Sequence, residues 1–137
     1  MKKFLLCATL FALCFSFSCK KKIDQKIEDI IVNVMVDGEW IVASFEEGPV
    51  DQTAMFAGWR CKFNPDKSCV ATNGSVVVNG TWNGSTATQS IWGNFPPNSE
   101  PVARMNGTWR VMKSNLVRGE FQQERNNVIY KMVLEKK

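Results

Sequence analysis

The side chains best suited to acid–base chemistry in this 137-residue chain are its carboxylates, because the sequence contains no histidine. Without an imidazole there is no histidine-based triad and no neutral-pH proton shuttle. Two groups of acidic residues remain as candidates: Glu46, Glu47 and Asp51 in the first long loop, and Glu120 with Glu124 near the end of a predicted strand. Hydrolysis by paired carboxyl groups requires them to face each other across a cleft, about 5–9 Å apart. These spacings do not impose that arrangement, so we expect solvated charges, no catalytic residues and no enzyme.

Cys61 and Cys69 are the two cysteines available for chemistry inside the predicted domain. They flank an Asn-Pro-Asp sequence that is typical of a type I turn. If Asn64 and Ser68 pair across that turn, both cysteines point to one face in diagonally displaced positions. A diagonal pair lies near the upper end of the separation that a disulfide tolerates, so a disulfide and two buried free thiols both remain open. Two cysteines without a histidine form only half of a tetrahedral zinc site, and we expect no metal and no other cofactor.

A further cysteine, Cys19, ends a segment with the layout of a secretory signal. Met-Lys-Lys is followed by an apolar run over Phe4–Phe17 and then by Ser18, Cys19 and three lysines. Signals need about 7–15 apolar residues, and the run is too short for a membrane span of roughly 20. A small residue directly before a cysteine resembles the cleavage site of bacterial lipoproteins, which implies that Cys19 becomes the diacylated N-terminus. The alternative is an ordinary cleaved signal in which Cys19 has no special role.

These features divide the chain into a signal peptide at residues 1–18, a lipidated tether with a short helix at 19–37 and a folded domain at 38–137. Removing the signal from 137 residues leaves 119, enough for one domain. The remaining 15 basic and 13 acidic residues give a net charge of +2, and Lys20–Lys22 carry three of the positive charges. We therefore expect no nucleic-acid partner. The three lysines fit anionic lipid head groups or a solvated tether. The resemblance implies a lipid-anchored protein of the cell envelope, at the outer membrane of a Gram-negative bacterium.

From Gly38 onward the chain consists of short segments rich in Val, Ile, Thr, Phe and Trp, separated by turn sequences such as Asn-Gly and Pro-Pro. This spacing predicts an all-β fold. The predicted strands are Glu39–Phe45, Gly58–Phe63, Cys69–Thr72, Ser75–Trp82, Thr88–Phe95, Ala103–Met112, Leu116–Gln122 and Val128–Leu134. Eight antiparallel strands joined by short links favour an up-and-down barrel, which hides every strand edge. A two-sheet sandwich is the alternative.

The segment 23–36 fits two structures. Apolar residues recur at helical spacing from Ile23 to Val34, and acidic residues near the start favour a helix. The β-branched run from Ile30 to Val36, followed by Asp-Gly, is instead typical of a strand and a tight turn. We favour a short helix and keep an extra strand as the alternative.

Strand alternation places most aromatic side chains on one face. Trp59 and Phe63, for example, alternate with charged residues. Three Gly-x-Trp elements put a glycine and an indole on the same face, where the small residue leaves room for packing or curvature. The candidate interior or ligand-lining residues are Trp40, Trp59, Phe63, Trp82, Trp109, Phe121 and Tyr130. Trp92 is expected to face outward.

The order and spacing of these motifs are similar to those of small lipocalin-like lipoproteins of Gram-negative bacteria. The similarity is carried by Gly38–Val42, Thr53, Phe56–Phe63, Asn79–Trp82, Met105–Val111 and Val128–Leu134. The resemblance implies an eight-stranded barrel behind a lipidated tether, with Trp40 closing one end. It implies no particular ligand.

The sequence supports two hypotheses about function. An eight-stranded barrel is just wide enough to be filled by side chains or to hold one small ligand, and an apolar lining selects a hydrophobic molecule. The first hypothesis is a non-enzymatic, membrane-anchored protein that binds a small hydrophobic molecule in the cell envelope. The second is a protein-interaction module, an assembly accessory or a hydrolase inhibitor, that uses the loops Glu46–Phe56 and Gly93–Pro101 around a filled barrel. No motif specifies an oligomeric state.

Overall fold

A computed structural model describes residues 31–137. The predicted signal peptide, Cys19 and the first part of the 19–37 segment lie outside these residues. Between residues 31 and 137, no helix is both long enough and apolar enough to cross a bilayer.

Residues 31–36 are helical, so the helix prediction is confirmed for this part of the segment. Met35 is buried in the core, whereas Asn33 stays exposed, as expected for a helix with one apolar face. Gly38 has a φ of +86°, a left-handed conformation that lets the chain leave the helix and enter the first strand. The β-branched run is therefore helical because one of its faces packs on the barrel, and tertiary packing overrides strand propensity.

Nine strands follow within the described residues. They are β1 Trp40–Glu47, β2 Val50–Asp51, β3 Arg60–Phe63, β4 Ser68–Asn73, β5 Val76–Ser85, β6 Ser90–Asn94, β7 Gly107–Ser114, β8 Arg118–Arg125 and β9 Val128–Lys136. Two 3₁₀ helices, Thr53–Phe56 and Val102–Met105, lie in the connections after β2 and β6. Eight of these strands correspond to the predicted ones, and the two-residue strand β2 was not predicted.

The strands form one antiparallel sheet in the order β2-β1-β3-β4-β5-β6-β7-β8-β9, and β1 also pairs with β9. The sheet is therefore closed, which confirms the eight-stranded barrel and excludes the two-sheet sandwich. The ladders around it differ in length. Eight residue pairs join β8 to β9, whereas the single pair Trp40–Cys61 joins β1 to β3. We call this short junction the seam.

The strand predicted to begin at Ala103 begins at Gly107 instead. The residues before it form the second 3₁₀ helix, in which Val102 and Met105 are both buried. A 3₁₀ helix places residues three apart on the same side, so Met105 faces the core without belonging to a strand. Gly107 then turns the chain into β7 with a φ of +97°. This left-handed conformation favours glycine, and a Cβ atom here would also displace the end of the Gln123 side chain.

The register predicted for the β3–β4 hairpin is confirmed. Cys61 pairs with Ala71, and the Asn64 amide donates to the Ser68 carbonyl at 2.9 Å. Lys67 adopts a φ of +71°, the left-handed conformation that a glycine would occupy more easily. Its carbonyl accepts a hydrogen bond from the Trp82 amide at 2.9 Å, and its ammonium lies 5.0 Å from the centre of the Trp82 ring. These contacts stabilise a conformation that the residue type does not favour.

Candidate functional site

The barrel has two structurally different ends. We call the end formed by helix 31–36 and the β3–β4, β5–β6 and β7–β8 turns the mouth, because these elements surround the start of β1. The opposite end, the base, carries the β8–β9 turn and the long connection from β6 to β7. The two ends bring together different kinds of side chain.

A cavity of about 310 Å³ lies at the mouth, between helix 31–36 and the β7–β8 hairpin. Its lining residues are Ile31, Val34, Met35, Trp40, Ile91, Val111, Ser114, Asn115, Leu116, Arg118, Gly119 and Phe121. Most of these side chains are apolar, and the polar ones come from the hairpin tip and its flanks. The cavity can therefore bury an apolar group while a polar group stays near the hairpin.

Trp40 forms the inner wall of this cavity and holds helix 31–36, the lid that covers it. Its side chain is 1% exposed, and its indole nitrogen donates a hydrogen bond to the Met35 carbonyl at 2.9 Å. That carbonyl belongs to the last turn of helix 31–36, where carbonyls lack partners within the helix. The Lys136 ammonium lies 5.5 Å from the centre of the indole ring. The resemblance implied that Trp40 closes one end of the barrel, and the indole lies at the mouth.

The middle of the barrel is filled. A void of about 20 Å³ lies there, too small for anything beyond a water molecule. Phe63 and Trp82 pack edge to face across it, with ring centres 5.3 Å apart. Trp109 also lines this void and is 1% exposed. The mouth cavity thus ends at a packed floor.

A second opening, of about 400 Å³, lies along the seam. It is lined by Ile41, Val42, Thr53, Ala54, Phe56, Ala57, Gly58, Trp59, Arg60 and Lys137. It exists because β1 and β3 separate beyond the pair Trp40–Cys61, and the first 3₁₀ helix fills only part of the gap.

The structure distributes the predicted interior residues among four places. Trp40 and Phe121 line the mouth cavity. Phe63, Trp82 and Trp109 surround the small central void, and Trp59 lines the seam opening. Tyr130 is partly buried at the base. The predicted outward orientation of Trp92 is confirmed, since the side chain is 42% exposed.

Sequence patterns missed several residues of the mouth. Ile91, Val111 and Leu116 belong to predicted strands, but their role depends on where helix 31–36 packs, which no local pattern specifies. The indoles of the three Gly-x-Trp elements offered a signal, since a buried indole usually finds a hydrogen-bond partner. Each of these indoles donates to the carbonyl of a segment that closes the barrel: Trp40 to Met35, Trp82 to Asn64 at 3.0 Å, and Trp109 to Met105 at 2.8 Å.

Cys61 and Cys69 are two buried free thiols. Burial raises the pKa of each to about 12, and for Cys61 the neighbouring Cys69 adds to the effect. A thiol with such a pKa is protonated at neutral pH and reacts slowly. The residues that the structure describes contain no cluster of three or more His, Cys, Asp or Glu side chains suited to a metal ion.

The candidate catalytic carboxylates of the first loop engage structural partners at the base. Glu47 accepts a hydrogen bond from the Tyr130 hydroxyl at 2.7 Å and pairs with Arg104 at 2.9 Å. The hydrogen bond to Glu47, together with partial burial, raises the pKa of Tyr130 above its usual value. Asp51 accepts from the Thr53 hydroxyl and amide, and these hydrogen bonds lower its pKa. No sequence pattern predicted this network.

Asn106 and Arg125 secure the long β6–β7 connection to the barrel. The Asn106 side chain accepts from the Phe95 amide at 2.6 Å and donates to the Phe95 carbonyl at 2.9 Å, so it substitutes for a paired strand. The Arg125 guanidinium stacks on the Tyr130 ring, 4.9 Å from its centre, and donates to the Arg104 carbonyl. Burial lowers the pKa of Arg125. This end is built from polar contacts within the chain.

The fold is similar to that of a DUF4847 family protein from Bacteroides vulgatus, whose crystal structure superimposes with a TM-score of 0.52. The two chains are 13% identical, and the match covers 74% of this chain and 95% of that one. No family model and no curated protein matches the sequence. At this level of identity the likeness establishes the fold alone: a closed eight-stranded antiparallel barrel with one short extra strand and a short helix.

Proposed function

We propose that this protein is a lipid-anchored, lipocalin-like protein of the cell envelope, at the outer membrane, that binds a small hydrophobic molecule in its mouth cavity. The observation that carries the proposal is the cavity itself. It has a volume of about 310 Å³ and a largely apolar lining in a barrel whose middle is otherwise filled. Protein sites for small molecules have volumes of about 300–1,000 Å³, so this one suits a small ligand.

The lining also indicates the shape of the ligand. The packed floor below Trp40 limits depth, so a ligand lies across the mouth between the helix and the hairpin. Ser114, Asn115 and Arg118 are the polar lining residues, and all three belong to the hairpin side. The Arg118 guanidinium already contacts Glu135 and Glu120, which keeps it in place beside the cavity. A single acyl chain or a small fused ring with one polar group fits this arrangement.

The proposal is tested by the binding of N-phenyl-1-naphthylamine, an apolar dye that fluoresces when it leaves water. We expect saturable binding and displacement by medium-chain fatty acids. Val111→Phe places a ring in the cavity and should weaken dye binding by about tenfold or more. Val77→Phe, on the exposed outer side of β5, is the matched control and should bind as the wild type does. Absence of dye binding, or equal binding by both variants, would contradict a site at the mouth.

A second candidate function is the binding of a partner protein at the base. Val50, in β2, is 51% exposed and Met55, in the first 3₁₀ helix, is 38% exposed; both lie in the segment 46–56 that was predicted to be a loop. Exposed apolar side chains that form a patch mark protein contacts, and the ion pairs of Glu46 and Glu47 hold this segment in place. Crosslinking in whole cells should recover a reproducible partner that is lost on Val50→Asp with Met55→Asp. If both forms recover the same proteins, this function is excluded.

A further inference from the structure

We propose that the mouth end of the barrel docks on an anionic lipid bilayer, with the tip of the β7–β8 hairpin inserted among the lipid head groups. This inference rests on the proposed function, because it takes the lipid anchor at Cys19 as given. It adds an orientation, a membrane-contacting surface and a source for the ligand.

The hairpin tip has the composition of a membrane contact. Leu116 is 69% exposed, Val117 56% and Met112 54%, although all three are apolar. Lys113 follows Met112 directly, and Lys113 and Arg118 flank Leu116 and Val117 in the sequence. Apolar side chains that project beside basic ones suit the boundary between head groups and acyl chains, where both kinds of group find partners.

The tip is held in shape by its own turn. The Asn115 side-chain oxygen accepts hydrogen bonds from the amides of Val117 and Arg118, each at 2.9 Å. The Asn115 amide donates to the Arg118 carbonyl at 2.9 Å. Because these bonds satisfy the backbone within the turn, the tip can present Leu116 and Val117 without first ordering itself. A preordered contact loses less conformational entropy on binding.

The position of the proposed lipid anchor also favours membrane contact at the mouth. Helix 31–36 lies at the mouth, and only residues 20–30 separate it from Cys19. A fully extended chain spans at most about 3.3–3.6 Å per residue, so the helix stays within roughly 40 Å of the acylated residue. The tether therefore joins the folded domain at its mouth end.

The charged residues of the folded domain also distinguish the two ends: basic residues predominate at the mouth and acidic residues at the base. At or near the mouth, Arg60, Lys62, Lys67, Lys113, Arg118, Lys136 and Lys137 outnumber Asp37, Glu39, Asp66, Glu120 and Glu135, seven to five. At the base, Glu46, Glu47, Asp51, Glu100 and Glu124 outnumber Arg104, Arg125 and Lys131, five to three. An anionic surface attracts the first end and repels the second, within about one Debye length.

The docked orientation also supplies the ligand. The mouth cavity opens beside the proposed membrane contact, because Leu116 belongs to both. An acyl chain can then move between the bilayer and the cavity along apolar side chains, without crossing bulk water. The ligand class that this geometry selects is a membrane lipid or a fatty acid released from one.

The test uses the full-length chain, produced in a Gram-negative host and reconstituted into phosphatidylethanolamine–phosphatidylglycerol vesicles. An environment-sensitive fluorophore is attached to Leu116→Cys at the tip or to Asn98→Cys, an exposed control position in the β6–β7 connection at the base. Cys61 and Cys69 are buried and stay unlabelled. Lipids that carry a doxyl quencher in their chains then report which label contacts the bilayer.

We expect blue-shifted emission at position 116 and doxyl quenching at least about threefold stronger than at position 98, with a smaller difference on uncharged vesicles. Equal quenching, or stronger quenching at position 98, overturns the docking. Flotation of the vesicles separates the two proposals. If the protein floats but the label at position 116 is not quenched, the lipid anchor stands and the docked orientation is wrong. If the protein does not float, both proposals are wrong.

Discussion

The indole of Trp40 donates a hydrogen bond to the carbonyl of Met35, and this one bond joins the first strand of the barrel to the helix that covers its mouth. Both residues are buried, with exposures of 1% and 5%, and both line the cavity. A buried carbonyl without a partner is costly, so the fold favours the helix position in which the Met35 carbonyl reaches the Trp40 indole. The shape of the cavity depends on it.

Trp40→Phe should therefore loosen the lid of the cavity. The change keeps an aromatic ring but removes the only donor of the side chain, which leaves the Met35 carbonyl without this partner. We expect a loss of about 1 kcal/mol in the free energy of unfolding, measured in urea, and weaker binding of N-phenyl-1-naphthylamine. Trp92→Phe, on the exposed outer face, is the control. Equal effects of the two changes would show that the bond does not hold the lid.

The two domain thiols should be inert in the folded protein. Their pKa values of about 12 keep them protonated, and burial blocks access to the sulfur. In a protein that begins at Lys20, Cys61 and Cys69 are the only cysteines. Dithionitrobenzoate at pH 8 should label neither until urea unfolds the chain, when two equivalents react. A Val117→Cys variant, labelled within minutes, provides the accessible reference, and rapid labelling of the wild type would contradict the buried positions.

Tyr130 should titrate above the usual pKa of a tyrosine, which is 10.0, because its hydroxyl donates to Glu47. Loss of the proton would leave two negative charges facing each other, so the neutral phenol is favoured. Tyr130 is the only tyrosine, and its ionisation can be followed by absorbance at 295 nm. Glu47→Gln should bring the midpoint back toward the usual value. An unchanged midpoint in that variant would show that Glu47 does not cause the shift.

The same pair should contribute to stability at neutral pH. Tyr130→Phe removes the hydroxyl while Arg104 continues to pair with Glu47. We expect a loss of about 0.5–1.5 kcal/mol in the free energy of unfolding. In a double-mutant cycle, Glu47→Gln combined with Tyr130→Phe should cost less than the sum of the single changes, because both remove one interaction. Additive costs would argue against direct coupling.

Acid should weaken the β3–β4 hairpin through Asp66. Its carboxylate accepts from the Ser68 amide and hydroxyl at 2.9 and 2.6 Å, and these hydrogen bonds lower its pKa below 3.8. A depressed folded-state pKa contributes stability above pH 3.8 that is lost as the pH falls through the lower folded value. Asp66→Asn accepts similar bonds without titrating. Urea unfolding between pH 5 and 2.5 should therefore be less pH-dependent in this variant, and parallel profiles would contradict the assignment.

Local chemistry made much of the barrel predictable. The Asn-Pro-Asp turn determines the pairing of Cys61 with Ala71, and alternation predicts which tryptophans are buried, because both signals extend over only a few residues. The base network joins Glu47 to Tyr130, which are 83 residues apart, and to Arg104, which is 57 residues away. Such pairs leave no local pattern. The position of the cavity was not predicted for the same reason, since it forms where helix 31–36 meets the β7–β8 hairpin.

Because of the seam, the strand junctions around the barrel differ in how many hydrogen bonds hold them together. Separating β1 from β3 breaks the hydrogen bonds of one residue pair, whereas separating β8 from β9 breaks those of eight. We therefore expect the barrel to open at the seam first, and backbone amides in Arg60–Phe63 that point toward β1 should exchange with deuterium before those of β8 and β9. The β1–β3 seam is therefore the weakest junction in a sheet that is otherwise closed by long ladders.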